Sequence, residues 1–120
     1  AHDVAPQILR DEHATGGVLH SYSGGAELVA TYARLGFAFS FAGPITYPSA
    51  RKPLEAARAV PADLLLAETD APDQAPAAHR GSRSEPAFVA DVIAGLAAAR
   101  GDDAAALCDA NARRIFSSWV

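Results

Sequence analysis

The chain reads as an α/β protein, specifically the C-terminal part of a (β/α)8 TIM barrel with about three parallel strands and flanking helices. Three observations predict this. Strand-like and helix-like patterns alternate along the 120 residues, as in βα units that build a parallel sheet. The segment GFAFSFAG, residues 36–43, alternates strictly, with Phe37, Phe39 and Phe41 on one face and Ala38, Ser40 and Ala42 on the other. Two of the apolar runs also finish on chemically capable groups, His20 in one case and the acidic pair Glu68 and Asp70 in the other.

Taken in order, residues 3–12 place Val4, Ile8 and Leu9 at helical spacing. A short strand is expected over 18–21, followed by the Gly24-Gly25 turn and a helix over 26–35. The alternating segment 36–43 is the second strand. In a closed βα barrel one face of each strand meets the interior and the other meets the helices, so small residues point inward and phenylalanines outward. Pro44 and Pro48 mark a loop, and residues 49–59 form a helix. DLLLAETDAP, residues 63–72, is a continuous apolar strand stopped by carboxylates and a proline, and the run Leu64 to Leu66 suits a strand buried on both faces. A Pro/Ala/His-rich loop runs to residue 84. Helices over 85–100 and 103–116 complete the chain, with Gly101 between them.

Three strands and about five helices fall short of the eight strands and about 250 residues of a whole barrel. Left alone, such a sheet has two open edges that invite pairing. The chain begins at Ala1 and contains no methionine, and we expect it to be a piece of a longer protein.

Composition narrows the function classes. Half the residues are apolar and a fifth charged, which suits one globular domain, and no apolar run approaches the roughly 20 residues that a transmembrane helix needs. A net charge of -4 argues against broad electrostatic capture of nucleic acid, although a metal can meet phosphate locally. The single cysteine, Cys108, fits a reducing compartment, and with no signal-peptide pattern in these residues the expected location is the cytoplasm.

Functional residues of βα folds collect at the carboxyl ends of strands. A histidine and an aspartate there can hold a divalent ion, which lowers the pKa of a coordinated water. Strand parity puts Glu68 on the face of Asp70, one layer deeper. The ordinary alternatives are a His20 satisfied by a backbone carbonyl and an Asp70 capping the turn before Pro72. Glu68, if buried, needs a partner, and a supporting role suits it better than direct ligation. Arg83 and Glu85 flank Ser84 at a helix start, where they either cap the helix or, for Arg83, reach a substrate phosphate. His13 and His79 read as solvated, Cys108 as core, and Arg113 and Arg114 as a charged last turn.

The segments GVLHSYSG, LGFAFSFAGPITYPSA, LLLAETDAP, RGSRSEPAFV and NARRIF follow one another in an order and spacing that resembles the C-terminal part of the TatD family of metal-dependent deoxyribonucleases. The resemblance covers essentially the whole chain, and its most specific part is ETDAP followed by Arg80-Gly81, Arg83 and Glu85-Pro86. It departs at Ser84, where the family commonly has asparagine, and at Ala67, which lengthens the strand pattern by one residue.

The resemblance implies a barrel with one or two divalent ions, magnesium or manganese by phosphate chemistry, with zinc also admitted by a histidine site. It makes His20 a metal ligand on the sixth strand. Asp70, after the eighth, becomes a ligand and the catalytic carboxylate that takes a proton from the attacking water. Glu68, Arg83 and Glu85 would support those ligands or touch substrate. DNA is the implied substrate of the full-length parent, with no membrane partner. The family's remaining ligands precede this chain, so its missing N-terminal half, or another chain, is needed to complete the barrel. His2 opens a helix and is not assigned. Two alternatives stay open, a non-catalytic half-barrel that associates with another chain and a barrel hydrolase acting on a non-nucleic ester or amide.

Overall fold

The computed structural model describes residues 17–47, 49–69, 77 and 86–117. The expected helix over 3–12, Pro48, and most of the loop after residue 69 lie outside the described residues.

Strand β1 spans Gly17–Leu19, helix α1 Ala26–Arg34, β2 Phe37–Phe41, α2 Arg51–Ala59, β3 Leu65–Ala67, α3 Val89–Arg100 and α4 Ala104–Ser117. Short 3-10 turns cover Gly43–Thr46, Ala62–Leu64 and Pro86–Phe88. The strands pair in parallel in the order β1-β2-β3, with Leu19 opposite Phe39 and Phe39 opposite Leu65. This is the expected parallel sheet with crossover helices, and among the described residues β1 and β3 are its edges.

The elements are shorter than their patterns suggest, for local reasons. β1 stops at Leu19 rather than 21, because Ser21 adopts φ 47, a left-handed backbone that cannot continue a strand. Leu64 belongs to a 3-10 turn, so β3 begins at Leu65. The expected loop at 43–46 is a 3-10 turn, where Pro44 sits in an N-terminal position that needs no N–H and the Thr46 hydroxyl donates to the Gly43 carbonyl at 2.7 Å. α2 begins at Arg51 and α3 at Val89, the latter after its own 3-10 lead-in.

The two faces of β2 separate as the alternation predicts. Phe37, Phe39 and Phe41 join Tyr22 and, from α1, Val29 and Tyr32 in the main core. Tyr22 meets Phe39 edge-to-face at 5.1 Å, and Tyr32 meets Phe37 at 6.2 Å. Such pairs contribute about 0.5–1.5 kcal/mol each beyond the area they bury. The Tyr22 hydroxyl donates to the Gly25 carbonyl at 2.9 Å. A Cβ on Gly24 would stand 2.5 Å from that hydroxyl oxygen, so this glycine makes room for an aromatic ring.

Polar side chains tie the helices to one another and to the sheet. Arg100, at the end of α3, donates to the Ala57 and Val60 carbonyls, both at 2.6 Å, and pairs with Asp102 at 3.0 Å, so it satisfies the carboxyl end of α2. Gly101 then stops α3 at φ 74, its N–H donating to the Ala97 carbonyl at 2.8 Å. Asn111 of α4 is 2% exposed and donates to the Ala62 and Leu65 carbonyls at 2.8 and 2.9 Å. Its own carbonyl accepts from Arg114, which also reaches the Asp63 carbonyl. Arg114 is therefore a tie to the start of β3 rather than a plain charged turn. Arg113 forms a solvent-facing pair with Asp109 at 3.0 Å.

Burial leaves three weak acids in the core that resist ionisation, Tyr22, Tyr32 and Cys108, and two of the shifts are large. Desolvation pushes the Cys108 thiol up to about 11, and desolvation, with Tyr32 and the Glu27 carboxylate nearby, pushes Tyr22 up to about 12. Both folded-state values exceed the unfolded ones, so the unfolded chain releases these protons first. Stability is then fully present below about pH 9 and falls as pH rises towards about 12. Urea midpoints measured from pH 8 to 11 should decline, and Cys108→Ala should flatten the early part of that decline. No helix among the described residues is long and apolar enough to cross a membrane.

Candidate active site at the strand ends

The carboxyl ends of all three strands are laced together by their backbone. The Tyr22 N–H donates to the Ser40 carbonyl, and the Glu68 N–H to the Phe41 carbonyl, both at 2.8 Å. These bonds extend the parallel ladder past the strands and bring His20 and Glu68 to one end of the sheet.

The side chains then converge. His20 Nε2 lies 2.8 Å from Glu68 Oε1, and Glu68 Oε2 accepts the Ser21 N–H at 3.2 Å. One carboxylate from β3 thus reaches past the end of β2 to hold the turn that follows β1. It engages the backbone N–H at the left-handed Ser21, a conformation that costs about 1–3 kcal/mol and persists where its surroundings impose it.

The imidazole side chain is 61% exposed and the Glu68 side chain 18%. Oε1 itself is closed off from solvent and has no hydrogen-bond partner, since its approach to His20 is close without hydrogen-bond direction. A buried carboxylate oxygen left in that condition suits a cation. With an imidazole nitrogen 2.8 Å away, the pair offers the nitrogen and oxygen donors that divalent metals take, close enough to share one coordination sphere. The residues present therefore fit a divalent ion. Among the described residues no group of three His, Cys, Asp or Glu gathers at one point, so the pair alone falls short of a full ligand set.

Below the pair is a cavity of about 670 Å³. Val18, Ser40 and Leu66 line it from the inward face of the sheet, and Ile93, Cys108 and Phe116 from α3 and α4. Leu66, Ala67 and Glu68 point to alternate sides of β3 yet all border it, so the cavity follows the open edge of that strand.

Of the residues singled out from the sequence, His20 and Glu68 are brought together. Asp70, Arg83 and Glu85 lie outside the described residues. Sequence reasoning passed over the Ser21 N–H, for which no local signal exists, and counted Ser40 merely as a small residue. It is the one polar side chain in FAFSF, and that was the available signal.

A parallel βα sheet that brings an imidazole and a carboxylate together at its strand ends has the layout of a βα-barrel site. Comparison with known proteins specifies the family. The sequence profile of the family described as TatD related DNase matches residues 1–117. The uncharacterized metal-dependent hydrolase YabD of Bacillus subtilis (strain 168) is 39% identical over 114 residues, covering 91% of this chain and 45% of its own length. For YcfH of Escherichia coli (strain K12), likewise an uncharacterized metal-dependent hydrolase, the identity is 41% over 114 residues, covering 91% of this chain and 43% of that protein. The crystal structure of YjjV, a TatD homologue from E. coli K12, matches at a TM-score of 0.82 and 30% identity, over 97% of this chain and 45% of that one. A TatD-family hydrolase from Entamoeba histolytica shares the fold at a TM-score of 0.71 and 15% identity, over 91% of this chain and 45% of its own.

The chain belongs to the TatD family of metal-dependent hydrolases. It spans less than half the length of the relatives it matches.

Proposed function

We propose that the protein is a deoxyribonuclease that hydrolyses phosphodiester bonds, with a divalent ion held by His20 and Asp70. The observation that carries this reading is the His20–Glu68 contact, in which a solvent-shielded carboxylate oxygen faces an imidazole nitrogen at 2.8 Å without another partner. When bound there, a divalent ion supplies Lewis-acid polarisation of a phosphoryl oxygen and lowers the pKa of a coordinated water. Glu68 orients the turn that carries His20. Asp70 accepts the proton of the attacking water, Arg83 meets substrate phosphate with paired guanidinium N–H groups, and Glu85 supports the helix start beside it. Magnesium or manganese serves this chemistry best, and zinc is the alternative that an imidazole ligand admits. We place the activity in the cytoplasm, in keeping with the one buried, unpaired cysteine.

The remaining donors come from strands that complete the barrel beside the open edges of β1 and β3, in the same longer chain or in another. The apolar cavity along β3 supports this, since it leaves a sheet edge and two helices bordering one space.

The test is cleavage of a short labelled single-stranded DNA by the purified chain with Mn²⁺ or Mg²⁺, beside Asp70→Ala and His20→Ala. Metal-dependent cleavage that both substitutions abolish is the expected result. Turnover of small esters or amides with none of DNA would instead identify a barrel hydrolase of another substrate class. A folded chain inactive on every substrate would confine the nuclease reading to a longer parent and favour a non-catalytic half-barrel.

A further inference from the structure

The cations among the described residues divide by what they hold. Arg58 donates to the Ala99 carbonyl at 3.0 Å, Arg100 to carbonyls at the end of α2, Arg113 to Asp109 and Arg114 to the Asp63 carbonyl. Arg34, Arg51 and Lys52 are exposed, and none of these three forms a side-chain hydrogen bond or ion pair among the described residues. Arg51 and Lys52 are also adjacent, so two uncompensated positive charges stand side by side in a chain of net charge -4. Glu55, the carboxylate of the same helix, forms an ion pair with neither of them.

Topology decides which end of the sheet each of the three occupies. A helix that follows a parallel strand starts beside that strand's carboxyl end and finishes near the amino end of the next. Arg34 closes α1, at the end away from His20 and Glu68. Arg51 and Lys52 open α2, at the end where His20 and Glu68 meet. Side chains of a helix lean towards its N-terminus, here towards that same end. The first turn of α2 also stands close to the site. Pro53, the residue after Lys52, shares a cleft of about 70 Å³ with Ser21 and Ser23 of the turn after β1 and with Ala42 at the end of β2. Ser21 is the residue whose N–H Glu68 holds.

We propose that Arg51 and Lys52 form a cationic rim that holds the backbone of single-stranded DNA beside the site, taking phosphates that flank the one being cut. The inference rests on the phosphodiesterase reading and extends it from the scissile group to the strand that carries it. A polyanion is the fitting partner, because neighbouring exposed cations repel each other and successive phosphates of one strand relieve that repulsion at both. The rim reads phosphate rather than base, so its grip is independent of sequence. It is local, which reconciles capture of a polyanion with an acidic chain.

The test reads binding apart from cleavage. Anisotropy of a short labelled single-stranded DNA is titrated in EDTA with the 120-residue chain, across a range of salt concentrations. Wild type is compared with Arg51→Gln, Lys52→Gln, the double variant and Arg34→Gln, with thermal midpoints alongside. The double variant should bind roughly tenfold more weakly at about 50 mM salt, and its plot of log affinity against log salt should be shallower by about 1.4, two contacts at about 0.7 each. Each single variant should give about half that change in slope, and Arg34→Gln none. Midpoints should stay together, since exposed unpaired cations add little to stability. Equal affinity and slope in every chain overturns the rim. An Arg34→Gln loss as large as that of Arg51→Gln overturns it too, because net charge alone would then govern binding. So does a folded wild type that binds no DNA. Mn²⁺-dependent hydrolysis of bis(p-nitrophenyl) phosphate by the wild type tests the underlying reading separately. Turnover there leaves that reading standing even if the rim fails. DNA binding that depends on Arg51 and Lys52 without such turnover supports the rim and removes hydrolysis from this chain alone.

Discussion

Replacing Glu68 with alanine should lower divalent-ion affinity by about 10- to 100-fold, the range typical for groups that hold a metal ligand in place. The carboxylate performs two tasks with its two oxygens. Oε1 stands 2.8 Å from His20 Nε2, and Oε2 accepts the Ser21 N–H at 3.2 Å. Removing both frees the imidazole and leaves the positive-φ turn without the contact that holds it, at a further cost of about 1–3 kcal/mol in folding stability. Glu68→Gln divides the tasks. Its amide oxygen still accepts the Ser21 N–H, so stability should return towards wild type, whereas the lost negative charge should keep Mn²⁺ binding weak. Manganese titration and urea unfolding of the three chains measure both quantities. Wild-type metal affinity in Glu68→Ala would show that this carboxylate has no part in the site.

Asn111→Ala should destabilise the fold by about 2–4 kcal/mol, among the larger effects open to a single polar residue here. The amide makes three hydrogen bonds. Two of them reach carbonyls at the start of β3, and its oxygen anchors Arg114. Truncation leaves the Leu65 carbonyl deprived inside the core, and water has little access to replace the bond. β3 carries Glu68 three residues further on, so the loss should reach the site as well. Asn111→Asp is the informative companion, because it keeps the shape and the acceptor but removes both donated bonds. A loss below about 0.5 kcal/mol in urea unfolding of Asn111→Ala would mean that the start of β3 is held by other contacts.

Much of the fold was legible from periodicity. The Phe/small alternation of β2 correctly put Phe37, Phe39 and Phe41 together in the core and Ser40 on the other face, against the cavity, because side chains on a strand alternate faces whatever surrounds them. Gly101 marked the end of α3 because a left-handed cap strongly favours glycine. Element ends were less legible. β1 stops early, at Leu19, ahead of Ser21, whose left-handed backbone N–H is held by a carboxylate 47 positions away. The motif NARRIF announced a family, yet nothing in its own composition says that Asn111 reaches 46 residues back to a strand carbonyl.

By itself, the sequence determined the βα order, the inward and outward faces of the strands, and the two residue types, histidine and carboxylate, delivered to the strand ends. Those properties follow from local rules of period, turn chemistry and strand parity. Only the tertiary structure decided that Glu68 reaches both His20 and the Ser21 N–H, that Ser40 borders the same cavity as these two side chains, and that this largely apolar cavity follows the open edge of β3. Each depends on strand register and on ångström-scale distances between residues far apart in the chain, which parallel pairing sets and no local pattern encodes.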